Sequence, residues 1–401
     1  MIKKIVCIIL MMIFCMLLYG CGLHSDSDNP TLDIHEEAIY DGKLDDTTGP
    51  VGDDEAFIFT WLTYSELRVT EMLKNKSDYE KHIDNYFVNM KKIGITDCFV
   101  QVRPFADAMY RSEVFPLSTH AASAENFDVL DLVISVAKRY SINIHAWVNP
   151  YRISSSEAGT GQWEKDYKDS IMIFPSGVYF NPADTKVQKL ILSGIDELLQ
   201  NYDIKGIHID DYFYPENVAD ADETQYKAYK KSGGKMNIAS WRRENVNNLV
   251  SAIHLKVKAF GDDKIFSISP TGNIDKSYSQ LYADVYLWAQ GGYCDMILPQ
   301  IYFGFENSSL PFEDCLDRWL SITDKNKVRL VPGLALYKCG KEDAFAGEGK
   351  DEWKNNSDII SRQVKYLKDK GCQGFALYSG SYINFSKTFS AKELNDLKSV
   401  L

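Results

Sequence analysis

The segment Gly206–Pro215, GIHIDDYFYP, places two adjacent carboxylates, Asp210 and Asp211, between a short apolar run and three aromatics. Side chains alternate along a strand, so His208 and Asp210 share one face while Ile207 and Ile209 share the other. A polar face backed by an apolar one suits a barrel strand, with helices outside and chemistry at the C-terminal mouth. Tyr212, Phe213 and Tyr214 offer flat surfaces with polar tips, which a sugar ring can use. Carboxylates beside aromatics at a strand end point to cleavage of a glycosidic bond.

Other chemistry-bearing residues collect at equivalent places. Apolar runs precede Gln101-Val102-Arg103 with Asp107 close behind, then His145, Trp147 and Asn149 spaced by two, with Tyr151 and Arg152 following. Further runs end at Ser267 and Ser269, at Gln300 and Tyr302, at Tyr337-Lys338, and at Tyr378-Ser379. Each has a structural explanation by itself; recurrence across six strand ends points to one substrate site.

The elements that must position them read as eight strands: Ala56–Leu62, Thr96–Val102, Ile142–Val148, Gly206–Asp210, Lys264–Ser269, Asp295–Ile301, Val328–Leu334 and Gln373–Tyr378. Helical periodicity separates them. One stripe holds Val187, Ile191, Ile195 and Leu198, another Ile83, Phe87 and Met90, and a third Val246, Leu249, Val250, Ile253 and Val257. Ser357 and Gly371 bracket a further helix as N-cap and C′ residues. Eight βα units over residues 56–401 match the (β/α)8 TIM barrel as a single domain. The connections Asn149–Asp184 and Tyr212–Ser240 are long and would build the cleft. A doubly wound open sheet is disfavoured, because no Gly-rich phosphate loop follows any strand.

The chain of 401 residues carries a net charge of −12, unevenly spread. Residues 22–55 hold 11 acids and one base, Lys43, and so read as a solvated acidic tether. The remainder has no basic excess, which argues against a nucleic-acid partner, and nothing points to a protein partner. Lys3 and Lys4 precede the 14 apolar residues Ile5–Leu18, too short a run to span a bilayer and right for a signal sequence. Leu18-Tyr19-Gly20-Cys21 resembles the bacterial lipobox, with Tyr19 where a small residue is usual. The resemblance implies cleavage after residue 20, acylation of Cys21, and a lipid-anchored protein on the extracytoplasmic face of the cell membrane. Five cysteines lie beyond Cys21, with no metal or disulfide spacing.

Longer motifs carry a more specific likeness. QVRPFADAMYRSEVFPLS (Gln101–Ser118), HAWVNPYR (His145–Arg152), GIHIDDYFYP, WRRENVN (Trp241–Asn247), SISPTG (Ser267–Gly272) and LPQIYF (Leu298–Phe303) together resemble the glycosyl hydrolase-like family 10. That resemblance implies a barrel, glycoside cleavage and, for some exported members, action on peptidoglycan strands. A strand-4 aspartate with a basic residue two positions earlier is also similar to the nucleophile of the α-amylase and α-galactosidase clans. The family-18 chitinase strand DGIDIDWEYP is similar too, but its catalytic glutamate falls on Tyr212 and its first two aspartates on Lys205 and His208.

Asp210 is therefore the expected nucleophile or base, with Asp211 or Asp107 as partner acid. Asp211 faces away from Asp210 unless the chain turns there. Glu306 is a more distant candidate. Arg103, His145, Trp147, Asn149, Tyr151, His208, Tyr212, Tyr214, Gln300, Tyr302 and Tyr337 would bind sugar. Arg152, Trp163, Trp288 and Lys338 would line the cleft. Arg242 or Arg243 would anchor the long loop after strand 4 or meet a carboxylate-bearing sugar such as muramic acid, the former being favoured. No metal or cofactor is expected, since strand 1, FIFTWLT, lacks the His-x-His of barrel metallohydrolases. The rival expectations are a non-catalytic glycan-binding lipoprotein on a hydrolase-like barrel and, behind it, a metal-dependent hydrolase.

Overall fold

The computed structural model describes residues 57–156, 159–386 and 388–401. The signal, Cys21 and the acidic tether lie outside the described residues. The parallel strands are β1 (Phe57–Leu62), β2 (Asp97–Arg103), β3 (Asn143–Val148), β4 (Gly206–Ile209), β5 (Ile265–Ile268), β6 (Met296–Ile297), β7 in two pieces (Arg329–Leu330 and Gly333–Leu334) and β8 (Gly374–Leu377). The first piece of β7 pairs with β6 and the second with β8. Between the pieces, Val331 N donates to Ile297 O at 2.9 Å and Ala376 N donates to Pro332 O at 2.9 Å. One strand thus forms both ends of the strand order, and the sheet closes into a (β/α)8 barrel.

The main helices are α1 (Lys76–Lys92), α2 (Val129–Arg139), α3 (Thr185–Asn201), α4 (Ile238–Phe260), α5 (Val285–Gly291), α6 (Phe312–Ile322), α7 (Ile359–Asp369) and α8 (Thr388–Val400). Their starts follow from local chemistry. Asn75, Asp128, Asp184 and Asn237 each accept a backbone N–H in the first turn of α1, α2, α3 and α4. In α7 the N-cap is Asp358, one residue past the expected Ser357, and Gly371 follows with φ +76°.

The apolar residues fall into two separate cores. Most line the shell between strands and helices. A second cluster fills the barrel itself: Phe59, Trp61, Phe99, Trp147, Met296, Leu298, Val331 and Ala376. The period of two explains the split. Ile207 and Ile209 face the helices, while His208 and Asp210 enter the interior with Trp147.

The Asn149–Asp184 connection has structure that its polar sequence does not announce. Arg152–Ser154, Gly177–Phe180 and Ile171–Phe174 form a small antiparallel sheet in that order.

Candidate active site

Asp210 follows the last residue of β4 and is 2% exposed. Its Oδ2 accepts the Trp147 indole N–H at 3.0 Å and its Oδ1 accepts the Tyr212 N–H at 3.3 Å. Burial and the neighbouring Asp211 carboxylate push its pKa well above the usual value, and the two donors do not offset them. Asp211 is also raised, by burial, against the pull of a Gln300 hydrogen bond and of the Lys276 and Arg152 charges. β4 ends at Ile209, and the bend at Asp211 brings its carboxyl to Gln300, just beyond β6. The turn that alternation alone does not supply is therefore present. The two carboxyls interact as a pair, and repulsion between them favours retaining one proton.

His208 sits one layer below, buried completely. Trp61 Nε1 donates to its Nε2 at 3.0 Å, so Nδ1 carries the proton and donates to Ser267 Oγ at 2.8 Å. Burial holds the imidazole neutral, and it stacks on Phe99 with ring centroids 4.1 Å apart. It supports the floor of the site and is not open to a sugar.

Aromatics ring the mouth. Tyr302 lies 5.5 Å from Tyr378 and 5.8 Å from Tyr337, ring centre to ring centre, and Tyr378 lies 5.8 Å from Trp61. Burial raises the phenol pKa of Tyr302 and Tyr378, and the charges of nearby Asp210 add to both. Tyr212 is 37% exposed, with the Arg152 guanidinium 4.6 Å from its ring centroid. Gln300 Nε2 donates to Ser269 O at 3.0 Å, which fixes the amide that faces Asp211.

Several expected sugar contacts lie elsewhere. His145 is two residues below Trp147, about 7 Å down the strand; its Nε2 is 3.0 Å from Asp97 Oδ1 at the first residue of β2. The pair belongs to the closed end of the barrel. Burial would raise the Asp97 carboxyl, but His145 brings it below the ordinary range. A register shift between Gln101 and Arg103 pairs Arg103 with outward-facing Val148. The Arg103 guanidinium lies 4.3 Å from the Phe115 ring and donates to Asn149 O and Pro150 O, both at 3.1 Å. Gly194 of α3 permits this, since a Cβ there would come within 2.4 Å of Phe115. Burial lowers the Arg103 pKa to about 10. Asn149 is buried and accepts from Gln101 Nε2 at 3.1 Å. Tyr151 and Tyr214 are buried in the outer core.

Asp107 is apart from the carboxylate pair. It lines a groove of about 370 Å³ between the loops after β2 and β3, with Phe105, His120 and Trp163. Burial raises its carboxyl, with Ser118 and His120 opposing. Trp163 donates to Ala106 O at 3.0 Å, and buried Trp288 donates to Asn247 Oδ1 at 2.8 Å. Lys338 is held by Tyr302 O and by Asp343. Glu306 is exposed. Arg242 grips Asp222 through two nitrogens, at 2.9 and 2.6 Å, and reaches Tyr282 Oη at 2.8 Å. It anchors the loop after β4.

Sequence reasoning marked Tyr378 as a strand end without giving it a sugar contact, and passed over Trp61 and Glu66. Trp61 was legible as an inward residue of strand 1. Glu66 accepts from Thr63 N at 2.5 Å, Ser379 Oγ at 2.7 Å and Ser381 N at 2.9 Å, and so ties the loop after β1 to the one after β8. It had no strand-end signal. Among the described residues no group of three or more His, Cys, Asp or Glu side chains is placed to hold a metal ion.

A closed (β/α)8 barrel with paired carboxylates and an aromatic rim at the C-terminal mouth has the layout of the barrel glycoside hydrolases. The chain belongs to the glycosyl hydrolase-like 10 family, whose model matches residues 60–348. It is 32% identical over 344 residues to the glycosyl hydrolase YngK of Bacillus subtilis, covering 79% of this chain and 65% of that relative's length. It is 25% identical over 370 residues to the glycosyl hydrolase DigH of Escherichia coli K12, covering 82% of each. The fold is shared with the PgaB (BpsB) glycoside hydrolase domain of Bordetella bronchiseptica, with a TM-score of 0.60, 11% identity, and 86% and 98% of the two chains covered. It is shared also with an endo-1,4-β-mannanase of Rhizomucor miehei, with a TM-score of 0.56, 12% identity, and 88% and 98% covered.

Proposed function

We propose that the protein cleaves glycosidic bonds in an extracytoplasmic glycan, with bacterial cell-wall peptidoglycan strands as the substrate. The observation that carries this reading is the Asp210–Asp211 pair. Both carboxyls are raised, so over a pH range above the ordinary carboxylate one the pair can hold a single proton. One carboxyl can then protonate the leaving oxygen while the other, ionised, acts as nucleophile or base. Trp147 holds Asp210 in place, Gln300 orients Asp211, and Tyr212, Tyr302, Tyr337 and Tyr378 form the walls that a sugar would contact.

The location is part of the proposal. The Lys3-Lys4 start, the apolar run and the Gly20-Cys21 junction support export and lipid anchoring at Cys21. A lipid-anchored barrel on the outer side of the membrane has wall glycan within reach.

The test is incubation with isolated peptidoglycan, with and without stem peptides, followed by mass spectrometry. New reducing-end fragments are expected. No fragment from any glycan in a broad panel, with binding retained, would replace the hydrolase reading with that of a glycan-binding module.

A further inference from the structure

Arg152 stands between the carboxylate pair and the groove that holds Asp107. Its guanidinium carbon is 4.6 Å from the Tyr212 ring centroid and 5.5 Å from that of Phe105. Its charge reaches both Asp210 and Asp211. Yet among the described residues its guanidinium has no hydrogen-bond or ion-pair partner, and its buried Nε is unsatisfied. Arg103 Nε is likewise unsatisfied, but its Nη2 is spent on two carbonyls, and Arg242 is spent on Asp222, Ala219 O and Tyr282. Cation–π contact with two rings positions the Arg152 guanidinium while leaving its N–H edge without a partner among the described residues. A planar, unspent fork matches a carboxylate in a bidentate contact.

The groove beyond it has the size and lining of a ligand pocket. Its volume of about 370 Å³ falls within the range of about 300–1,000 Å³ common for such sites. Phe105 supplies a flat apolar wall. Asp107 Oδ1 is buried without a partner, and His120 and Thr119 add polar groups that a sugar hydroxyl or amide can meet.

We propose that Arg152 reads a carboxylate carried by a sugar of the substrate, and that this sugar lies against Phe105 and into the groove beside Asp107. The proposal rests on the reading of the mouth as a glycan site and narrows its substrate to an anionic glycan. A cation at this point also offsets the repulsion that Asp210 and Asp211 would exert on a charged sugar.

The test measures binding of glycan strands stripped of stem peptides, in native form and with their carboxyl groups reduced to alcohols. Calorimetry in an Asp210→Asn background reads affinity without turnover. Native strands are expected to bind more tightly by about tenfold or more, the scale of one charge-assisted bidentate contact. Adding Arg152→Met should bring the two affinities together, and Arg152→Lys should retain part of the preference. Melting curves verify that each variant is folded. Equal binding of the two forms by protein with Arg152, absence of binding to either, or a preference that survives Arg152→Met would overturn the proposal. Turnover of native strands by the unaltered protein tests the hydrolase reading separately. A carboxylate preference without cleavage would sink only that reading; cleavage without preference would sink only the Arg152 assignment.

Discussion

Trp147 Nε1 donates to Asp210 Oδ2 across 3.0 Å, from β3 to the end of β4, inside the barrel mouth. The bond ties the carboxylate to a side chain that is itself locked in the inner core, so Asp210 is held by the scaffold.

Asp210→Asn should remove turnover of a glycan that the unaltered protein cleaves. The loss should be about a thousandfold or more, or about 4 kcal/mol of transition-state stabilisation. Stability should move the other way. The folded-state pKa of Asp210 is raised, so its favourable contribution is full below the unfolded value and is lost as pH rises through the folded one. Melting temperatures of the variant should therefore exceed the parent's at neutral pH and converge with them below about pH 4. A variant less stable than the parent across that whole range would contradict the burial argument.

The pair's raised pKa values also set the pH profile. Activity should fall at low pH through a value above the usual aspartate range, as the ionised carboxyl is lost, and fall again at higher pH as the remaining proton leaves. Trp147→Phe removes a donor that lowers the Asp210 pKa, and Asp210 is the carboxyl raised against an ionised Asp211, so the alkaline limb should move to higher pH. Rate measurements against pH on both proteins decide it; an unmoved limb would separate Trp147 from the ionisation.

His208→Leu should act on the fold and leave glycan affinity unchanged. It strands the Trp61 N–H and the Ser267 hydroxyl in the inner core, at about 1–3 kcal/mol for each unsatisfied group. Denaturant titration measures the loss. A large rise in glycan Kd with normal stability would return His208 to the substrate contacts.

Arg242→Met leaves the Asp222 carboxylate buried without its cation, both side chains being nearly inaccessible. Breaking such a pair costs about 3–5 kcal/mol. The loop after β4 should become the first site of proteolysis, which limited digestion and mass spectrometry would locate.

Cys21→Ser should release the protein from the membrane or block its processing. Fractionation and metabolic lipid labelling are the measurements. Retention and labelling equal to the parent's would end the lipoprotein reading.

Alternation made the inner face of β4 readable, and with it Asp210, because period two is a property of any strand. Depth along the barrel axis was not readable. His145 and Trp147 share a face, yet one meets Asp97 at the closed end and the other meets Asp210 at the mouth. Nor does an aromatic after a strand declare whether it stays at the rim, as Tyr302 does, or folds under the loop, as Tyr151 and Tyr214 do. Arg103 was displaced by a register shift that leaves no mark in residue type. The eight strands were legible as apolar runs; the small sheet beyond β3 was not, since Arg152–Ser154 spans only three residues and its pairing crosses a long insertion.

The closure of β7 onto both β6 and β8 bears on how copies of this protein meet when crowded. A sheet without ends gives a neighbouring chain no row of free amides to extend, so the barrel strands cannot template strand addition. Open edges remain in the small sheet, where Ile171–Phe174 is an outer strand and Ile173 is 57% exposed. That strand is four residues long, and a short edge offers an incoming chain few bonds. Self-association through the barrel would accordingly have to be built from side-chain surfaces, which leaves the barrel's hydrogen-bonded framework closed to recruitment into larger β-structure.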